Sequence, residues 1–167
     1  MTIAASMLPE FDNEMKSTRA VLARTTDALA QWKPHAKSMS MGQLAIHLQS
    51  LVGWIPKIIS ATEIDFATPA AQSLNLTWQS AAKALETFDS AVAAGRAAIA
   101  GASDEEMMVP WSLRAGEHVI MTMPRVAVLR VVVMNHIIHH RGQLTVYLRL
   151  NDIPLPEIYG PTADSTR

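Results

Sequence analysis

The chain has 167 residues, the size of one domain, and we expect residues 1–167 to form a single helical-bundle domain. Apolar residues make up 49% and charged residues only 17%, below the roughly 25% of a typical soluble domain, which excludes disorder as the main description. Lys and Arg number 14 against 15 Asp and Glu, without a basic block, which argues against nucleic-acid binding; with no cysteine, any metal must be held by N and O donors.

Residues 1–14 carry no basic segment followed by an apolar run, and residues 126–134, the most apolar stretch, are far short of a membrane span and broken by Arg130. We therefore expect a cytoplasmic protein with no membrane partner. In chain order, Leu8, Phe11, Met15, Thr18, Leu22, Thr25, Leu29 and Trp32 recur at spacings of three and four, which predicts one amphipathic helix over residues 9–32. Pro34 ends it, because the residue before a proline is pushed out of the helical region.

A second helix is predicted from Ser40, whose pairing with Gln43 three residues on fits a capping box. Leu44, His47, Leu48, Leu51 and Ile55 form its apolar stripe, and Pro56 kinks or shortens it. Residues 61–74 lack periodicity and read as a connection. A third helix is expected over residues 76–100, with Trp78, Ala81, Leu85, Phe88, Val92 and Ile99 inward and Gly101 as its stop.

Residues 104–122 contain Pro110, Gly116 and the run Val119-Ile120-Met121, which suggests an extended or hairpin-like crossover. A fourth helix should start at Thr122 or Met123 with Pro124 in its first turn, and run to about residue 150. The proline-rich stretch 152–161 is a tail. Four such helices with one long crossover before the last predict an all-α fold, a four-helix bundle whose sites lie between facing helices.

Of six histidines, three occupy positions where the pattern calls for core residues. The fourth-helix stripe reads Leu129, Val133, His136, His140, Leu144, Tyr147, and His47 lies within the stripe of the second helix. A separation of four returns His136 and His140 to nearly the same face, one turn apart, where both imidazoles can meet one ion. Three neutral imidazoles in facial array leave coordination positions open for water or substrate, as in a catalytic site; a lone His on an apolar stripe is more often an ordinary core residue. His35 and His118 fall in expected loops, where solvation is the simpler account. His139 lies on the flank of the stripe, at the surface, at a partner contact or as a proton shuttle.

Two segments carry a family resemblance. Asn135-His136-Ile137-Ile138-His139-His140-Arg141-Gly142-Gln143-Leu144, with Tyr147-Leu148-Arg149 and the tail Pro156-Glu157-Ile158-Tyr159-Gly160-Pro161, resembles the DinB/YfiT-like superfamily of metal-dependent enzymes. Trp32-Lys33-Pro34-His35 and Gly42-Gln43-Leu44-Ala45-Ile46-His47-Leu48 are similar to its second-helix motif. The resemblance spans essentially the whole chain. It implies a four-helix bundle, often a homodimer, with a divalent ion, Zn or Ni, at His47, His136 and His140. It further implies a small-molecule substrate and either low-molecular-weight-thiol S-transfer or hydrolysis. The competing expectation is a non-catalytic dimeric stress-response or interaction bundle with a vestigial or structural metal site. Arg141 is the candidate anchor for an anionic group of such a thiol, against the commoner role of an ion-paired side chain. Gln143 and Tyr147 are expected to pack and hydrogen-bond around the histidines. Tyr159 is expected either over the site mouth or as an aromatic that pins the C-terminus.

Overall fold

The computed structural model describes residues 1–68 and 77–165. Helix α1 is Ile3–Leu22, α2 is Met41–Gly53, α3 is Ile55–Ser60, and strand β1 is Glu63–Asp65. Helices α4 (Ala81–Gly101) and α5 (Asp104–Met108) lead into β2 (Pro110–Ala115) and β3 (His118–Pro124). The final helical segment begins with α6 (Arg125–Val128), passes through a π-helical stretch (Leu129–Met134) and continues as α7 (Asn135–Arg149). The long helices pack in a ring, α1 and α2 each against both α4 and α7. Their inward faces are the predicted stripes: Phe11, Leu44, Leu48, Phe88, Leu129, Val133 and Leu144 are all at most 1% exposed.

The expectation of an all-α four-helix bundle is corrected by a three-stranded mixed sheet in the order β1-β2-β3. β1 runs parallel to β2, pairing Glu63 with Ser112, and β2 runs antiparallel to β3. Trp111 and Leu113 of β2 point into the core on the two-residue period of a strand, while β3 is largely exposed. The hairpin is the crossover that Pro110 and Gly116 suggest; its turn places Gly116 at φ 63°, where a side chain would strain the backbone. The parallel strand β1 lies inside what reads as a plain connection, because three residues are too few to show alternation. Asp65 locks it to the hairpin by accepting the N–H groups of Ala67 and Gly116 at 2.9 and 2.8 Å. These bonds, Gly116 foremost, hold its carboxyl below the ordinary Asp value.

Helix boundaries differ from expectation in physically simple ways. α1 starts at Ile3 under a Thr2 cap and carries Pro9 inside it, and it stops at Leu22, not near Trp32. There the Leu22 carbonyl is taken by both the N–H and the hydroxyl of Thr25. Residues 27–29 form a 3-10 turn, and the segment then returns to α2 through Met41 N–H to Trp32 O and Gly42 N–H to Ala30 O. The Ser40–Gln43 capping box is present with both reciprocal bonds. α4 is capped by Ser80 and includes Gly101 as its last residue; the expected start at Leu76 lies outside the described residues. Pro124 is the cap of the last helical segment, not its first turn.

Candidate metal centre

His47 stands on α2, and His136 and His140 stand one turn apart on α7, across the α2–α7 contact. The three are half-buried, and one ring nitrogen from each lies within 4.8 Å of the other two. Nε2 of His47 and Nε2 of His136 are 3.2 Å apart, and the ring centroids of all three pairs lie between 4.6 and 4.9 Å. Two imidazole nitrogens bound 2.0–2.1 Å from one tetrahedral ion stand about 3.3 Å apart. The donor set therefore fits a divalent cation: three N ligands of borderline softness, two of them at nearly coordination spacing and all within 4.8 Å of one another.

Burial is the largest force on all three rings and favours the neutral, ligand-competent form. It pushes His47 down to about 4, helped by the neighbouring His140 and His136. His136 is lowered by burial and by His140, against a hydrogen bond to the Val132 carbonyl that works the other way. His140 is lowered by burial and by His139, against its hydrogen bond to Gln143.

The ring orientations have identifiable supports. The Val132 carbonyl lies in the π-helical stretch just before α7, where Asn135 N–H reaches back five residues to Arg130 O. Such widened turns loosen the regular ladder and recur at functional sites. Nδ1 of His140 is 2.7 Å from Gln143 Oε1, and Gln143 Nε2 is 3.1 Å from His139 Nε2. No Asp or Glu joins the three histidines among the described residues.

Arg141, beside His140 in sequence, turns the opposite way. It is 2% exposed and its guanidinium meets the Glu14 carboxylate at 2.7 Å, the Glu14 carbonyl at 3.1 Å and the Tyr159 hydroxyl at 2.5 Å. Tyr159 in turn donates to Glu14 Oε2 at 2.8 Å. Burial, then the Glu14 carboxylate it donates to, raises this phenol above its ordinary value. Tyr159 thus pins the C-terminal tail to α1 and α7. Glu14 was legible only as an acidic residue spaced three and four from Phe11 and Thr18, on the apolar face of α1. Tyr147 packs edge-on against Trp32 at 5.5 Å and donates to the Met39 carbonyl. His118 is exposed at the start of β3, and Nδ1 of exposed His35 accepts from Lys37 N–H; neither joins the cluster.

A model of the DinB family matches residues 1–165. The fold is similar to that of a DinB-like protein from Bacillus cereus, with a TM-score of 0.72, 20% identity, and coverage of 91% of this chain and 95% of that one. A DinB-like protein from Bacillus subtilis is similar at a TM-score of 0.71 and 19% identity, covering 92% of this chain and 97% of that one. No curated protein sequence matches the chain.

Proposed function

The chain belongs to the DinB family, and on that premise we propose that it is a metal-dependent enzyme. In this reading His47, His136 and His140 hold a divalent ion, Zn or Ni, and the substrate is a small molecule. The observation that carries it is the convergence of three burial-neutralised imidazoles from two helices, with Nε2 atoms of His47 and His136 at 3.2 Å. When bound, such an ion supplies Lewis acidity at a coordination position the protein leaves open, toward a thiol or a water. The chain's own part is to keep the three rings neutral by burial and to orient His140 by its hydrogen bond to Gln143. Cysteine is absent from the chain, so a thiol reacting here would come from a low-molecular-weight partner and not from a side chain.

Elemental analysis of protein purified without chelator tests the reading. We expect about one transition-metal ion per chain in the wild type and none in a His136→Ala/His140→Ala double variant. Wild-type protein that stays metal-free after incubation with Zn²⁺ and Ni²⁺ would remove the proposal. If the ion binds as expected, activity is sought with the loaded protein against thiol-transfer and hydrolysable substrates.

A further inference from the structure

Gln143 lies one turn beyond both His139 and His140, and its single amide touches each. Its oxygen is 2.7 Å from His140 Nδ1 and its nitrogen is 3.1 Å from His139 Nε2. An amide oxygen only accepts, so the His140 ring carries its proton on Nδ1 and keeps the Nε2 lone pair free, in a ring whose centroid lies 4.6 Å from those of His47 and His136. A free neutral imidazole favours the opposite tautomer, with the proton on Nε2. The amide nitrogen only donates, so His139 accepts through Nε2. A reversed amide would present N–H groups to His140 Nδ1 and withdraw that acceptor. His139 stands outside the three-histidine cluster and is exposed.

We propose that Gln143 is a positioning residue that holds His140 in its Nδ1–H tautomer with Nε2 free for an ion. The functional consequence rests on the metal-binding reading; the tautomer itself does not. The arrangement makes His140 a ligand of preset direction. His47 differs, having no hydrogen bond to its second ring nitrogen among the described residues.

The experiment uses ¹⁵N-labelled, metal-free full-length protein near pH 7.5 and reads the ring tautomers by long-range ¹H–¹⁵N correlation. We expect His140 as Nδ1–H in the wild type, a shift toward Nε2–H in Gln143→Ala, and retention of Nδ1–H in Gln143→Glu, whose carboxylate still accepts. Chelator competition with Zn²⁺ should show a loss of about 10- to 100-fold for Gln143→Ala and recovery to near wild type for Gln143→Glu. Thermal melts of the same variants establish that each is folded. Wild-type His140 found as Nε2–H, or a tautomer indifferent to Gln143→Ala, overturns the role of Gln143. A wild-type protein that takes up no Zn²⁺ sinks the metal reading alone, because the tautomer is read without metal.

Discussion

His47 shows what burial does to one side chain: its ordinary value near 6.5 falls to about 4 in the fold. The unfolded chain therefore takes up a proton between those values that the native state refuses, and metal-free stability must fall as pH drops through that window. His136 and His140 are lowered in the same direction, so they steepen the loss. Melting temperatures of metal-free protein from pH 7.5 to 4.5 check this, and His47→Gln should flatten the curve. Arg141 is the other decisive residue. Its pairing with Glu14 is almost fully buried, at 2% and 7% exposure of the two side chains, and removal of one partner leaves an uncompensated buried charge. Arg141→Ala should cost about 3–5 kcal/mol in denaturant titration, while joint replacement of both by apolar residues of similar size should cost far less. A comparable loss in the double replacement would show that packing, not the ion pair, dominates there.

At the scale of elements, the α2 entrance ties local sequence to the position of His47. The Ser40–Gln43 box satisfies two N–H groups at that end, and Ser40→Ala should cost about 1 kcal/mol of stability. Two glycines give opposite expectations. A Cβ on Gly42 would meet the Ala30 carbonyl oxygen at 3.0 Å and the Trp78 ring at 3.1 Å, so Gly42→Ala should destabilise by about 1–3 kcal/mol. Gly142 lies mid-helix in α7 with nothing within 4 Å, so Gly142→Ala should stabilise by about 0.5–1 kcal/mol. Equilibrium unfolding of both variants decides, and equal effects would contradict the close approach at Gly42. The elements also show where sequence patterns stop being sufficient. The stripe on residues 9–32 continues past Leu22 in pattern, yet Thr25 captures the Leu22 carbonyl and α1 ends. A period of three and four says which residues face inward, and it says nothing about a side-chain oxygen competing for the backbone.

For the molecule as a whole, an ion that binds the folded site and not the unfolded chain stabilises by mass action, about 2.7 kcal/mol at free metal a hundredfold above Kd. Adding Zn²⁺ to metal-free wild type should raise Tm by several degrees, and a chelator should reverse it. The His136→Ala/His140→Ala variant should show neither shift. The helical core and the histidine trio were legible in the sequence, because burial on a helix leaves a periodic trace and imidazole on that trace breaks the apolar pattern. His47, His136 and His140 could be picked out without knowing how α2 meets α7. The hairpin was legible from Pro110, Gly116 and an alternating run, but β1 was not, since Glu63–Asp65 becomes a strand only by pairing with Ser112–Arg114 some fifty residues later. The choice of Glu14 as the partner of Arg141 and Tyr159 likewise needed three dimensions, whereas hydrogen bonding by Gln143 beside the histidines was expected from its helical spacing. Local sequence determined roughly where the long helices run, which of their faces are apolar and which of those faces carry imidazole, since these depend on spacing along one element. Tertiary structure decided the sheet, the pairing of buried Arg141 with Glu14 and the meeting of three imidazoles from two helices, because those depend on which distant atoms come together.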